Sequence, residues 1–176
     1  FHIYSGNASH VVEQLDKGLI DFGIILGDVD LTKYNSLETS YSDLWGVLMR
    51  KDSVLAEKET ISPEDLKDKP LILSQQESKG GNLTQWLNQD IHELNIVATY
   101  NLLFNASLLV DEGLGYAIGY DKIINTTGNS RLCFRPLNPQ LNSRMNIIWK
   151  KYQLFSKPAE KFLEVLKESL ETILLP

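Results

Sequence analysis

The sequence predicts an α/β protein with two lobes, because one local pattern occurs twice in the chain. Residues 15–25 suggest a helix that ends at Gly18 and is followed by an apolar run, and residues 109–119 repeat this order around Gly113. A glycine just past a helix suits the left-handed conformation that ends many helices. A short apolar run is typical of a strand that is buried on both faces. Each copy therefore indicates one helix and one strand of an α/β lobe.

The predicted first lobe begins with a strand and a helix. Asn7 or Ser9 can cap this helix, since either side chain can accept a hydrogen bond from a free amide of the first turn. Ser62, followed by Pro63 and two acids, is typical of a second helix start. The predicted strands are 1–4, 19–26, 36–41 and 44–50, and the predicted helices are 9–17 and a short one that starts after Ser62 and ends before Pro70.

The predicted second lobe also alternates strands with helices, and a polar loop follows its first strand. Its strands are 71–74, 96–100, 114–119, 131–137 and 145–149, and its helices are 82–94 and 105–112. An apolar face predicts a last helix that belongs with the first lobe; it consists of Phe162, Leu163, Leu166, Leu170, Ile173 and Leu174. We therefore assign residues 1–70 and 148–176 to lobe I and residues 71–147 to lobe II. The chain is thus predicted to cross between the lobes twice, as expected of a hinged cleft.

The composition is that of an ordinary globular protein, with 176 residues of which 43% are hydrophobic and 23% charged. No apolar run approaches the roughly 18 residues of a membrane span, and the first residues do not resemble a secretory signal. The single Cys133 cannot form an internal disulfide, so we expect a cytoplasmic chain. A net charge of −6 argues against a nucleic-acid surface on this piece.

The sequence contains no pattern that predicts an enzyme, a metal site or a cofactor. The three histidines, His2, His10 and His92, lack the spacing of metal ligands. Gly113-Leu114-Gly115 follows a helix and precedes a strand, which is the reverse of the order in a dinucleotide-binding turn. Acid pairs such as Asp28 with Asp30 are commoner in turns and at helix ends than in catalytic dyads. We therefore expect no catalytic residues and a protein that binds without chemistry.

Three phrases in a fixed order resemble the effector-binding domain of LysR-type transcriptional regulators, and the resemblance covers essentially the whole chain. The phrases are Gly18-Leu19-Ile20-Asp21-Phe22-Gly23-Ile24-Ile25, then Asp52-Ser53-Val54-Leu55-Ala56, then Val110-Asp111-Glu112-Gly113-Leu114-Gly115-Tyr116-Ala117-Ile118. The resemblance implies a type 2 periplasmic-binding-protein-like fold with a hinged cleft. Relatives begin with a further strand, a turn and a helix, which this chain is expected to lack.

The resemblance also implies partners. Relatives bind DNA through a winged helix-turn-helix domain that is absent from this chain, and they act as homodimers or tetramers. Residues 82–94, including Trp86, are the expected second-lobe surface for this pairing, although Trp86 suits a core position equally well. The implied function is that of a bacterial regulator in which a small anionic effector, bound between the lobes, changes DNA binding and transcription. The main alternative is a solute-binding protein of a transport system, and an enzyme built on the same fold is a second.

Three loops that end at helix starts are the candidate ligand site: residues 5–9, 74–82 and 100–105. Backbone amides at a helix start lack helical partners, and the helix dipole favours an anion there. Ordinary helix capping explains any single one of these residues equally well. By position in the family pattern, the expected ligand contacts are Asn7, Ala8, Leu26, Ser74, Gln75 and Asn101. The expected set also includes Ser5 and Ser9 of the first loop and Tyr120, where the chain departs from the family pattern. Ala8 stands where relatives often have a hydroxyl, which suggests a different or less polar effector. Tyr120 either enters the cleft or packs at the hinge.

Overall fold

The computed structural model describes residues 1–27, 30–77 and 81–173, with side chains up to residue 170 in the last range. The described residues form five α-helices and seven strands, joined in places by short 3₁₀ turns. In chain order these are α1 (Ala8–Asp16), β1 (Gly23–Leu26), β2 (Tyr34–Arg50), α2 (Pro63–Leu66), β3 (Leu71–Ser74), α3 (Asn82–Leu87), β4 (Ile96–Tyr100), α4 (Leu103–Asp111), β5 (Tyr116–Tyr120), β6 (Leu132–Pro136), β7 (Asn142–Lys150) and α5 (Lys157–Ile173).

The chain divides into two compact units. Unit 1 consists of Phe1–Asp43 and Ser143–Pro176, and unit 2 consists of Leu44–Asn142. These boundaries differ from those of the predicted lobes, which change at residues 70/71 and 147/148. The reason is packing, because Leu55, Ile61 and Leu66 lie in the same apolar cluster as Leu71.

Unit 1 contains a small sheet covered by α1. β1 runs antiparallel to β7, with Gly23 opposite Ile148, and β7 lies between β1 and β2. Val11 and Leu15 of α1 pack against Ile148 on this sheet. The buried face of α1 is therefore the apolar face that the sequence pattern predicted.

Unit 2 contains a sheet with the strand order β2-β5-β3-β4, and β6 pairs with β2. β3 is parallel to both of its neighbours, whereas β2 is antiparallel to β5 and to β6. Apolar clusters cover both faces: one contains Val47, Leu73 and Ile118, and the other contains Ile72 and Ala117. The apolar runs that predicted buried strands are thus confirmed.

The two helix ends predicted at Gly18 and Gly113 are confirmed. Gly18 has a φ of 68° and Gly113 a φ of 80°. After each glycine, the chain closes the helix in the same way: Leu19 N donates to the Gln14 carbonyl at 3.0 Å, and Leu114 N donates to the Leu109 carbonyl at 3.0 Å. This bond pattern is the Schellman motif.

Three predicted elements are corrected. The predicted strand 1–4 is wrong: residues 1–7 have no regular structure, and the side chains of Phe1 and Ile3 are exposed. The predicted helix 82–94 is too long, because Asn88 takes a left-handed conformation that ends α3 at Leu87. The strands predicted at 36–41 and 44–50 form one continuous strand, β2. Leu174 of the predicted last helix lies outside the described residues, as do Asp28 and the middle of the loop 75–81.

Among the described helices, none combines the length and the hydropathy that crossing a lipid bilayer requires.

Candidate ligand-binding site

Three parallel strands of unit 2 end at one edge of the sheet. β3 lies between β4 and β5, Ser74 is paired with Tyr100, and Gln75 N donates to the Tyr100 carbonyl at 2.9 Å. α3 connects β3 to β4 on one side. α4 then connects β4 to β5, which lies on the other side of β3. In open α/β sheets, ligands bind at the carboxyl ends of strands where the strand order reverses in this way. The end of β3 is therefore the candidate site in this unit.

Ser74 and Gln75 stand at that point. Ser74 is half-buried, and its Oγ accepts a hydrogen bond from Glu77 N at 3.2 Å. Gln75 is exposed. Two neutral polar side chains at the end of a buried strand provide hydrogen-bond donors and acceptors without adding charge.

Asn101 follows β4 at the same edge. Its Oδ1 accepts hydrogen bonds from Leu102 N at 2.9 Å and from Asn105 Nδ2 at 3.2 Å. α4 begins directly afterwards, and its N-cap residue is Leu102, so within the described part of the chain no side chain caps this helix. Leucine is a poor N-cap because it has no acceptor atom. The start of α4 therefore keeps amide donors next to Asn101.

Tyr120 ends β5 and packs inside unit 2. Its ring centroid lies 4.5 Å from that of Trp45, its partner across the β2–β5 pairing, and Trp45 is only 3% exposed. Tyr120 itself is half-buried. The phenol thus stands at the edge that carries Ser74 and Asn101, supported by a buried indole.

Tyr100 is a residue of this edge that sequence reasoning did not single out. It is 9% exposed, and its Oη donates to the Ile118 carbonyl of β5 at 2.7 Å. The side chain therefore links β4 to β5 past β3. Gly119 leaves it room, since a Cβ there would lie 2.8 Å from Tyr100 Oη. Burial, with smaller effects of Tyr120 and Glu77, raises the pKa of the Tyr100 phenol and keeps it a donor.

Glu77 lies in the predicted loop 74–82 but was not among the expected ligand contacts. Its Oε2 accepts a hydrogen bond from Leu83 N, in the first turn of α3, at 3.1 Å. α3 is also short, with six residues. One amide of this helix start is thus bonded to a carboxylate of the chain itself, and the ligand role of the loop 74–82 remains a prediction.

Five of the expected contacts belong to unit 1. Asn7 caps α1, and its Oδ1 accepts from His10 N at 3.0 Å. Ala8 is the first residue of that helix, Ser5 and Ser9 are exposed, and Leu26 is the half-buried last residue of β1. The capping role predicted for Asn7 is confirmed, and the ligand role of this group remains a prediction.

Reactive groups of other kinds are dispersed. The described residues contain no group of three or more His, Cys, Asp or Glu side chains that could hold a metal ion. Cys133 is buried, and burial raises the pKa of its thiol, which disfavours the reactive thiolate.

The chain matches the model of one protein family. The model of the LysR substrate binding domain matches residues 1–171. No curated protein matches the chain at the level of sequence.

Several solved structures are similar to this chain in fold. HinK, a LysR family transcriptional regulator from Pseudomonas aeruginosa, has a TM-score of 0.75 at 18% identity over 96% of this chain. The effector binding domain of QuiR in complex with shikimate has a TM-score of 0.82 at 15% identity, over 99% of this chain and 83% of its own. The CcmR regulatory domain of Synechocystis PCC6803 in complex with 2-PG has a TM-score of 0.75 at 16% identity, over 93% of this chain and 80% of its own.

At these identities the likeness shows the fold, which is the two-lobed periplasmic-binding-protein-like fold. The chain spans 60% of the length of the HinK chain. The match over residues 1–171, together with this fold, leads to one conclusion: the chain belongs to the LysR substrate binding domain family.

Proposed function

We propose that this chain is the effector-sensing domain of a bacterial LysR-type regulator and that it binds a small anionic ligand. One observation carries the proposal: Ser74, Gln75 and Asn101 stand together at the carboxyl ends of parallel strands, beside the start of α4, which has Leu102 as its N-cap. Backbone amides at a helix start and the helix dipole favour an anionic group. The neutral side chains then provide orientation and selectivity.

The proposal has further parts that follow from family membership. Tyr120 adds an aromatic contact, and Ser5, Asn7, Ala8, Ser9 and Leu26 are proposed contacts in unit 1. Two structurally similar proteins support a small-molecule ligand, because QuiR is known in complex with shikimate and CcmR in complex with 2-PG. Family membership also favours a regulator over a solute-binding protein of a transport system.

The proposed mechanism is a shift between two arrangements of the lobes. A ligand shifts such an equilibrium by no more than its difference in affinity for the two states. In the full-length protein, proposed to be a cytoplasmic homodimer or tetramer, this shift changes how an N-terminal domain outside this chain binds DNA. No catalysis is proposed, so the ligand is released unchanged.

Thermal unfolding of the chain in the presence of small carboxylates, amino acids and sugar phosphates tests the proposal. A ligand that binds only the folded state stabilises it by roughly 2.7 kcal/mol at a hundredfold excess over Kd. We expect one chemical class to raise the Tm, and we expect Asn101→Ala to abolish the increase. Asn95→Ala is the matched control, because Asn95 is exposed and precedes β4 at its opposite end. No increase with any class, or equal effects of the two variants, would contradict the proposal.

A further inference from the structure

Tyr100 joins three strands at the candidate site. It is the last residue of β4, it is paired with Ser74 of β3, and its carbonyl accepts a hydrogen bond from Gln75 N at 2.9 Å. Its Oη reaches past β3 and donates to the Ile118 carbonyl of β5 at 2.7 Å. One residue therefore bonds to β3 through its backbone and to β5 through its side chain.

The bond to β5 lies where the ladder between β3 and β5 has ended. In the described part of the chain, these two strands are paired at only two positions, and the second is Ile72 with Ala117. On its other side, β5 stays paired with β2 as far as Tyr120. The next carbonyl after Ala117, that of Ile118, accepts from the phenol of Tyr100. The phenol therefore ties the end of β5 to β4 where direct pairing with β3 has stopped.

The phenol is confined by its surroundings. Tyr100 is 9% exposed and belongs to the apolar cluster that contains Leu103 and Ala117. A Cβ at Gly119 would lie 2.8 Å from its Oη, so the glycine provides the space that the hydroxyl occupies. A buried polar group without a partner is costly, which favours keeping the bond to β5 formed. The side chain therefore sets the spacing between the ends of β4 and β5.

Two expected ligand contacts lie close to this bond in the chain. Asn101 follows Tyr100 directly, and Tyr120 stands two residues after Ile118. Asn101 Oδ1 accepts from Leu102 N at 2.9 Å and from a side-chain amide of α4 at 3.2 Å. The Nδ2 group of the same amide is then the donor that Asn101 can offer to a ligand. A ligand that meets both residues depends on the distance between the two strand ends.

We propose that Tyr100 is a positioning residue of the ligand site: its bond to the Ile118 carbonyl holds the ends of β4 and β5 at the spacing at which one ligand contacts Asn101 and Tyr120. This inference rests on the proposed function, because it takes the strand ends as the ligand site. Contact groups must be held within about 0.5 Å of the productive geometry by the residues behind them. Loss of the Tyr100 hydroxyl therefore weakens binding, although the buried phenol itself does not touch the ligand.

Hydrogen exchange of the unliganded chain tests the positioning step. In Tyr100→Phe we expect the amides of residues 101–105 and 119–121 to exchange roughly fivefold to tenfold faster, as the loss of one hydrogen bond implies. Tyr116→Phe is the matched control, because it removes another phenol of the same sheet, which lies 3.0 Å from Ser53 Oγ at the opposite end of β5. It should leave both segments unchanged. A general loss of stability would act equally in the two variants.

Calorimetric titration tests the consequence for binding. The probes are shikimate, L-glutamate and glucose 6-phosphate, one from each chemical class of the thermal experiment. For each probe that binds, we expect Tyr100→Phe to raise Kd about tenfold, which corresponds to about 1.4 kcal/mol. Tyr116→Phe should leave Kd within about twofold, a change of less than about 0.5 kcal/mol. Both variants are titrated at a temperature at which they are fully folded.

The outcomes separate this inference from the proposed function. Equal exchange in the two variants, or an unchanged Kd in Tyr100→Phe, would overturn the inference and leave the function standing. A higher Kd without faster exchange at the strand ends would also overturn it, since the hydroxyl would then act in another way. If no probe and no member of the wider ligand set binds, the proposed function fails, and the ligand role of Tyr100 fails with it even where exchange changes as expected.

Discussion

Gly18 and Gly113 end their helices through backbone conformation alone. Both have positive φ angles, and a Cβ at either position would have no atom within 4 Å. A side chain there would therefore cause no collision with its surroundings. For any residue other than glycine, the left-handed conformation itself is unfavourable.

We predict that Gly18→Ala and Gly113→Ala each lower the free energy of unfolding by about 1 kcal/mol. Urea denaturation followed by circular dichroism measures the change. Gly113→Asn is the control, because asparagine tolerates this conformation and should restore part of the loss. An alanine variant as stable as the original chain would contradict the assignment of these caps.

Gly115, in the same phrase as Gly113, is required for another reason. A Cβ at Gly115 would lie 2.3 Å from the Pro70 carbonyl oxygen, a backbone atom that cannot move easily. We predict that Gly115→Ala is more destabilising than Gly113→Ala in the same urea experiment. The opposite order would show that the approach of Pro70 is not as close as described.

Asp65 links the start of α2 to the preceding turn. Its Oδ2 accepts from Ser62 N at 3.0 Å, and Lys58 Nζ donates to its other oxygen. The bond from Lys58 is the main reason that the pKa of Asp65 lies below its usual value of 3.8, and the bond from Ser62 N adds to the effect. The carboxylate is therefore more favourable in the folded than in the unfolded chain.

We predict that Asp65→Asn lowers the free energy of unfolding by about 1 kcal/mol at pH 7. The folded-state pKa is lowered, so this stabilisation is complete above the unfolded-state value and is lost as the pH falls through the folded-state value. The difference between the chain and the variant should accordingly shrink between pH 7 and pH 3. Urea titrations at both pH values check this, and a difference that grows in acid would contradict the assignment.

At the residue scale, the sequence located helix caps and candidate loops but not the contacts inside those loops. The capping role of Asn7 could be predicted because its partner, His10, lies within one helical turn. Tyr100 and Glu77 lie in two of the predicted loops, but their bonds to the Ile118 carbonyl and to Leu83 N depend on strand order and loop closure. The ligand contacts at Ser74, Gln75 and Asn101, placed by position in the family pattern, remain predictions.

At the scale of elements, the accuracy of each prediction depended on whether its sequence signal is local. β3 and β4 were predicted with the observed bounds, because short apolar runs marked them. α3 was predicted too long, because Asn88 takes a left-handed conformation and ends the helix at Leu87. The strand at residues 1–4 was wrong because an apolar pattern predicts a strand without showing whether a neighbour pairs with it.

Tyr100 and Gly119 connect the ends of three strands, and a double-mutant cycle tests this connection. We predict that Tyr100→Phe costs about 1 kcal/mol of stability through the lost hydrogen bond. Gly119→Ala should cost more, because its Cβ would meet Tyr100 Oη at 2.8 Å and Leu103 Cδ1 at 2.9 Å. The double variant should lose less than the sum, since Phe removes the nearest colliding atom. Effects that add within about 0.5 kcal/mol would contradict the contact.

At the scale of the molecule, three short phrases predicted the family, and the match over residues 1–171 confirms it. The two-lobed fold followed from the repeated helix, glycine and strand pattern. The compact units divide the chain at other residues than the predicted lobes do, and Leu55, Ile61 and Leu66 pack with the core of unit 2. Periodicity along a chain does not show where a continuous strand passes from one core to another.

The central claim is that an effector binds where the strands of unit 2 end. Hydrogen exchange, measured with and without the ligand that raises the Tm most, tests it directly. We expect protection to increase in segments 74–77, 101–105 and 119–121, at the carboxyl ends of β3, β4 and β5, while the opposite ends of these strands change little. Protection confined to α5 or to those opposite ends, with the ligand bound, would contradict it.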